Sequence, residues 1–405
     1  MAAVMEKTVE QRFCNPVSNA ELERRWKLAR DHMKSAGIDA LVVQNSNDFL
    51  GGYFRWFTGW PATHAYARSL LFPVDGLMTT VGQGNFGQVN EFDGKGPQPN
   101  YGIGKRLHTP SFVSAHQSRD YDAELIAGEI TKGGYRTVAY VSPASMYYTF
   151  GLKVQELAKG VKFTDATEAI DRFKAIKSAE EISFIKRVAA MQDEVCSKLV
   201  EHIRPGMKDF EVAAYAQYIG QLNGSEQGIF LCSSAPPGKP ARFMPRAQQA
   251  RTMNKGDTFT LLVEKNGAGG MFAELSRTFV LGKASQELQD ALAQVLEAQQ
   301  NTLKLLKPGA SCKDILEAHN AFMRGRGLPE EKRLYSHGQG YDMVERPLVR
   351  HDEPMAIQEN MNIVVHPGIM TERLFMTNTD NYIVGANGPG ECIHRTPKKI
   401  IELAV

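Results

Sequence analysis

DTFTLLVEKNGAGGMFAELSRTFVLG, residues Asp257 to Gly282, is the stretch on which the fold turns. Its apolar residues alternate with polar ones on either side of Asn266-Gly267 and Gly269-Gly270, the pattern of two antiparallel strands joined by a glycine-rich turn. Its charges are unusual for an apolar strand pair. Glu264 lies at the end of the first strand, Glu274 opens the second, and Arg277 follows three residues later. Successive strand side chains point to opposite faces, so Glu274 and Arg277 are expected on opposite faces unless a bulge intervenes. One of them should face inward.

The hairpin sits between two similar segments. HIRPGMKDFEVAAYAQYIG, from His202 to Gly220, is echoed by LLKPGASCKDILEAHNAFM, from Leu305 to Met323. Each reads as a basic residue, Pro-Gly, a short spacer, Lys-Asp, an apolar residue and an amphipathic helix. The repeat distance of about a hundred residues is too long for a solenoid, and it predicts two α/β halves whose interface would form a site. Ser178 is a helix N-cap signal with Glu181 as its capping-box partner, and a long amphipathic helix follows through Ile182, Ile185, Val188 and Ala189. The second domain is therefore placed at 172–405. The first, 1–171, reads as α/β. Leu22, Trp26, Ala29 and Met33 share a helix face that Gly37 can end. Apolar strand runs lie at 38–44, 69–72, 77–81 and 137–141, and helices around 121–132 and 148–158.

The 405 residues are 42% hydrophobic and 23% charged, which excludes disordered and collagen-like chains. With 47 Lys plus Arg against 45 Asp plus Glu and no run of five basic residues, nucleic acid is not the expected partner. The five widely spaced cysteines include no Cys-x-x-Cys pair, so reduced, mostly buried thiols in a cytoplasmic protein are expected. The absence of an apolar signal core and of any 18-residue apolar stretch argues against export or a membrane span.

Polar residues gather in three later segments: YSHGQGYDMVERP (Tyr335 to Pro347), NIVVHPGIM (Asn362 to Met370) and FMTNTDNYIVG (Phe375 to Gly385). His337 precedes Gly-Gln-Gly, a backbone that permits close approach, and His366 ends an apolar strand before Pro-Gly. Two His with two Glu at strand ends suit general acid and base work, because His titrates near neutrality and a carboxylate tunes it. The same set suits a divalent metal.

Taken together, these motifs resemble the creatinase and methionine-aminopeptidase superfamily, and more closely its creatinase and prolidase branch. The resemblance rests on KSAEE at 177–181, the two Pro-Gly helices, SRTF at 276–279, SHGQG at 336–340, HPGIM at 366–370 and TDNYIVG, and covers nearly the whole chain. It implies an α/β (α+β) protein with a creatinase-like N-terminal domain followed by a C-terminal pita-bread domain of pseudo-two-fold duplicated halves. Peptidases of that family are similar in using five metal ligands. At those positions this chain has Glu264 and Glu274, ten apart rather than the usual eleven, with His337, His366 and Thr379. The second peptidase His falls at Val344, beside Glu345, and the segment SSAPPGKPARF, residues 233–243, lacks the further His. These departures argue against a dinuclear peptidase, and the last of them also against creatine hydrolysis.

The branch also implies a homodimer in which the N-terminal domain of one subunit contributes to the partner's site. The matching stretch is YFRWFTGWPATHAYARSLLF, residues 53–72, which holds two of the three tryptophans. Trp56, Phe57 and Trp60, with Met271, Phe272 and Met376, are read as an aromatic and thioether pocket for a small, flat substrate, with Arg55, Arg68 or His64 as anchors. The expectation is then a non-peptidase enzyme, a lyase that breaks a C–C or C–heteroatom bond of an aromatic molecule and releases a fragment such as formaldehyde. His337 and His366 would be acid and base, Glu274 and Glu345 their proton partners, and Arg277 the anion holder. No cofactor is favoured. The alternatives are C–N hydrolysis of a small amide or amidine, a hydrolase or peptidase holding a single Zn, Fe or Mn ion on Glu264, Glu274, His337 and His366, and a non-catalytic scaffold.

Overall fold

Ser18 Oγ accepts the Glu21 N–H and opens helix α1 (Asn19–Ala36), which buries Leu22, Trp26, Ala29 and Met33; Gly37 closes it at φ +66°. The computed structural model describes residues 17–45, 52–60 and 66–405. The chain divides into two units between Lys174 and Ala175. In the first unit α1 is followed by β1 (Ala40–Asn45), α2 (Tyr53–Thr58), β2 (Arg68–Pro73), β3 (Met78–Gln83), β4 (Val89–Glu91) and β5 (Ile103–Thr109). Then come α3 (Tyr121–Lys132), β6 (Thr137–Val141), α4 (Tyr148–Leu157), β7 (Lys162–Asp165) and α5 (Thr167–Ala175). The seven strands form one sheet in the order β4-β5-β3-β2-β1-β6-β7. β1, buried along its whole length, pairs antiparallel with β2 and parallel with β6. The three strands that hydrophobic runs do not predict are β4, β5 and β7. β4 is short and exposed, β5 reads IGKRLHT, and β7 is a partly exposed edge.

The second unit opens with the capping box of Ser178 and Glu181 at the start of α6 (Ala179–His202). The two echoed segments lead into α7 (Asp209–Leu222) and, after β8 (Gly228–Ala235), β9 (Thr258–Asn266), β10 (Phe272–Val280) and α8 (Gln286–Leu305), into α9 (Cys312–Arg324). The remaining strands are β11 (Ser336–Gly338), β12 (Glu345–Leu348), β13 (Asn362–Val365), β14 (Gly368–Met370), β15 (Phe375–Thr377), β16 (Asp380–Ile383) and β17 (Ile401–Glu402). Two four-stranded sheets result, β17-β10-β9-β8 and β12-β11-β13-β16, with β14-β15 as a separate hairpin. α6 and α7 pack on the first sheet. Leu303, Cys312 and Ile315 of α8 and α9 share a core with Tyr335, Ile363, Val365 and Tyr382 around the second. The duplicated reading therefore holds at the level of helix pair plus sheet. Cys196, Cys232 and Cys312 are buried free thiols and Cys392 is a half-buried one, while Cys14 lies outside the described residues.

Candidate active site

The β9-β10 hairpin has no bulge, and its register sets Glu264 directly opposite Glu274. Directly opposed residues of an antiparallel pair project from the same face, so both carboxylates enter the same space. Both are buried. Gln339 Nε2 donates to Glu264 Oε1 at 2.9 Å, and the Glu274 N–H donates to Asn381 Oδ1 at 2.8 Å. Asn381 Nδ2 in turn donates to Gln339 Oε1 at 2.8 Å, which links the amides under both glutamates. His337, on β11, completes the group with Nε2 3.8 Å from Glu274 Oε2. Its Nδ1 lies 2.9 Å from the Gly338 carbonyl, which can only accept, so Nδ1 carries the proton and the Nε2 lone pair faces the carboxylates. One ligand atom from each of Glu264, Glu274 and His337 lies within 4.8 Å of the others. Two carboxylates and a lone-pair imidazole suit a divalent cation, which would neutralise the like charges the pair buries when both are ionised. His366, just past β13, sets its ring 5.5 Å from that of His337.

These four side chains line a cavity of about 580 Å³ with His319, Arg333, Thr379, Phe243 and Phe375. Burial pushes the Glu274 carboxyl up to about 7, and burial plus the Glu274 charge pushes Glu264 well above the usual range. Burial, reinforced by His366, lowers His337 to about 3. Burial alone dominates for His366 and His319, each lowered to about 4. All three imidazoles are therefore neutral near pH 7. His319 stacks on Tyr335 at 3.7 Å. Among the described residues its Nδ1 and the Thr379 hydroxyl, both buried, have no hydrogen-bond partner. Gly340 answers a close approach: a Cβ there would fall 2.4 Å from Glu345 Oε2.

The other expected site residues lie elsewhere. Glu345 accepts the Lys177 ammonium at 2.7 Å in a buried pair and does not line the cavity. Arg277 points to the opposite face of β10, where it donates to Asp380 at 2.7 Å and to the carbonyls of Ser276, Thr379, Thr396 and Pro397. Its donors are occupied, so the anion-holding role is corrected to that of a brace between β10 and the chain around β16. Met271 and Phe272 are interior, and Met376 packs with Val280, Leu292 and Ile369. Trp56 and Phe57 are core residues of the first unit, edge to face at 4.9 Å, on the same short helix as buried Arg55. Trp60 lines a separate cavity of that unit, and His64 lies outside the described residues. The apolar wall of the site comes instead from Ile229, Leu231, Phe243, Met343 and Phe375. Motif reading passed over His319, Gln339, Arg333 and Phe243. His319 had left a signal, a polar residue four after Ile315 on the buried face of α9, whereas Arg333 sits in an irregular segment without a period.

Fold and site define a two-unit protein whose C-terminal half carries a buried carboxylate-imidazole centre between duplicated halves. Residues 183–390, just over half of the chain, match the model of "Metallopeptidase family M24", and the chain belongs to that family. It is 25% identical over 398 residues to "Uncharacterized hydrolase/peptidase y4tM" of Sinorhizobium fredii, covering 95% of this chain and 98% of the relative. It is 24% identical over 263 residues to the Xaa-Pro dipeptidase of Pyrococcus horikoshii (64% of this chain, 73% of the relative). The creatinase of a Bacillus species is 23% identical over 368 residues (87% and 82%). Among solved structures, the recombinant prolidase of Thermococcus sibiricus superposes with a TM-score of 0.77 at 18% identity, covering 96% of this chain and all of that one, which shows a shared fold. Membership in this family places the chain among enzymes. It also corrects the lyase and non-peptidase expectation, since the family is one of metallopeptidases and the relatives' names include dipeptidases. Among the described residues no helix is long and apolar enough to cross a membrane.

Proposed function

We propose that the chain is a metal-dependent hydrolase that cleaves an amide-type C–N bond in a small, peptide-like substrate. The observation that carries the reading is the converging Glu264, Glu274 and His337, with ligand atoms within 4.8 Å of one another inside a cavity. These three residues would hold one divalent ion, which when bound polarises a carbonyl and lowers the pKa of water. Gln339 fixes the Glu264 carboxylate, Asn381 accepts the Glu274 backbone N–H and so holds the strand that carries Glu274, and the Gly338 carbonyl fixes the His337 tautomer. His366 stands outside the ligand group and is neutral near pH 7, so it accepts the proton of the attacking water and returns it to the leaving amine. Arg333, at the open side of the same cavity, takes a substrate carboxylate, the role first expected of Arg277. The apolar wall excludes water from the reacting bond. A homodimer whose N-terminal units contribute to the partner's site belongs to the same proposal and rests on the family resemblance.

The test combines metal analysis with turnover. Purified protein reconstituted with manganese, cobalt, zinc or iron is expected to hold about one equivalent per chain. It should hydrolyse members of a dipeptide panel that includes Xaa-Pro sequences, and chelation should abolish that turnover. Undiminished turnover by metal-free protein would overturn the proposal.

A further inference from the structure

Gln192 and His394 are buried polar residues that do not line the catalytic cavity. Gln192 lies on the buried face that α6 forms with Ile185, Val188, Ala189 and Val195. His394 belongs to the chain after β16, which is tied on two sides. The Ile393 N–H donates to the Asn381 carbonyl at 3.1 Å, and Asp193, next to Gln192, accepts the N–H groups of Arg395 and Thr396, each at 2.8 Å. These ties bring the His394 ring against α6.

The bonds of the two side chains reach both carboxylate-bearing strands. Gln192 Nε2 donates to the Ala273 carbonyl at 2.5 Å and lies 3.4 Å from that of Lys265. Ala273 and Lys265 are a cross-strand pair, and each is the chain neighbour of one glutamate of the opposed pair Glu264 and Glu274. A single amide on α6 therefore spans the hairpin one residue from its carboxylates. Since Nε2 faces carbonyls, Gln192 Oε1 is the acceptor toward His394 Nε2, 2.9 Å away, and that ring nitrogen carries the proton. His394 Nδ1 keeps a lone pair, which accepts the Asn381 N–H at 3.2 Å. Burial holds the ring below the ordinary imidazole range, and Asp380, 3.9 Å from Nδ1, is already paired with Arg277, so the neutral form persists near pH 7. Asn381 is the residue whose side chain accepts the Glu274 N–H and donates to Gln339, the donor to Glu264. The series Gln192, His394 and Asn381 thus meets both glutamates, once through the hairpin backbone and once through Asn381 and Gln339.

We propose that Gln192 and His394 are positioning residues of the metal centre, which together set the spacing of Glu264 and Glu274 that a divalent ion needs. They touch neither ion nor substrate and act through Asn381 and the hairpin backbone. The inference rests on the metal-dependent reading of the site. Partners that orient ligands in this way govern metal affinity by about 10- to 100-fold.

The experiment compares the full-length parent with His394→Leu, His394→Asn, Gln192→Met and the double variant of His394→Leu with Gln192→Met. Manganese affinity is read by calorimetry, and amide exchange of β10 in chelator by mass spectrometry. His394→Leu and Gln192→Met should each weaken manganese binding at least about tenfold. The double variant should lose less than the product of the two, because both act through one series of bonds. His394→Asn places an amide oxygen where Nδ1 stands, keeps an acceptor for the Asn381 N–H, and should bind manganese more tightly than His394→Leu. A role in apolar packing alone would give the reverse order. In chelator the Glu274 amide should exchange faster in His394→Leu than in the parent, with exchange in the first unit unchanged. Gln192→Met serves for both readouts if His394→Leu does not fold. Parent-like affinity in both apolar variants, asparagine no better than leucine at position 394, or unchanged exchange at Glu274 overturns the proposal. A parent that binds no manganese removes the metal-dependent reading instead, and the exchange result alone then decides the positioning role.

Discussion

Glu274→Gln tests the electrostatics of the centre directly. Glutamine keeps the size of the side chain and cannot ionise. In the folded chain burial raises the Glu274 carboxyl from 4.5 to about 7, and Glu264 opposite it is raised as well. A carboxyl whose folded pKa is raised favours the folded state at low pH, and that contribution is lost as pH rises from the unfolded value through the folded one. At 1.36 kcal/mol per unit, the displacement corresponds to about 3 kcal/mol. In chelator, Glu274→Gln is therefore expected to be more stable than the parent by up to about 3 kcal/mol near pH 8, with the gap closing toward about pH 5. His337 and His366 act in the opposite direction, since their lowered pKa values favour the folded state above about 6.5. His366 is common to both proteins and drops out of the difference, and His337, 3.8 Å from Glu274, enters it only through their mutual interaction. Urea unfolding of both proteins in chelator at the two pH values measures the gap. Manganese at about a thousand times its Kd should then reverse the order, because it adds about 4.1 kcal/mol to the parent and little to the variant. A variant less stable than the parent in chelator near pH 8 would refute the reasoning, as would a gap that does not narrow on acidification.

Gln339→Leu removes the side-chain donor to Glu264 Oε1 and one of the two acceptors of Asn381 Nδ2, which keeps Asn362 Oδ1, and metal affinity measured by calorimetry should fall about 10- to 100-fold. Lys177→Met removes the buried cation from the Glu345 carboxylate, which keeps the Asp342 N–H, and should cost about 3 kcal/mol in chemical denaturation, while turnover per folded molecule stays near that of the parent. Loss of turnover without loss of stability would return Glu345 to the catalytic set. His366→Ala should keep its metal stoichiometry and lose about 10²- to 10⁴-fold in kcat, whereas loss of the metal would make His366 a ligand.

How far the site could be read in advance depended on what each residue's role requires. Glu264 and Glu274 stood out because a charge on a strand of apolar alternation has few innocent explanations, and the Gly-flanked turn set which strands pair. The register itself was not readable: whether Glu274 or Arg277 faces the cavity changes with a one-residue slip, and only the observed pairing decides it. The sequence cannot place Arg277 on its true face for that reason, and because the partners that occupy it, at Thr379, Asp380, Thr396 and Pro397, lie over a hundred residues away in sequence. Trp56 and Phe57 show the limit of composition, since aromatic residues fill a core and line a pocket with the same chemistry. β5 was lost because its charged residues interrupt the apolar run that marked its neighbours.

The charge count also limits what the centre can hold. Glu264 and Glu274 together bear two negative charges when ionised, and His337 adds a neutral lone pair held by its bond to the Gly338 carbonyl. A divalent ion brings the buried group to neutrality; a monovalent one leaves a net negative charge in the interior, and an empty centre must retain a proton, as the raised carboxyl pKa values indicate. Thr379, at the position where the family resemblance places a fifth ligand, contributes a hydroxyl instead of another carboxylate. A second divalent ion would therefore meet no further negative charge from that strand, and three protein donors leave open positions for water and substrate on the first. The same residues that make a two-metal centre unfavourable leave a one-metal centre neutral and accessible. Metal stoichiometry, more than metal identity, is thus the quantity this arrangement of side chains determines.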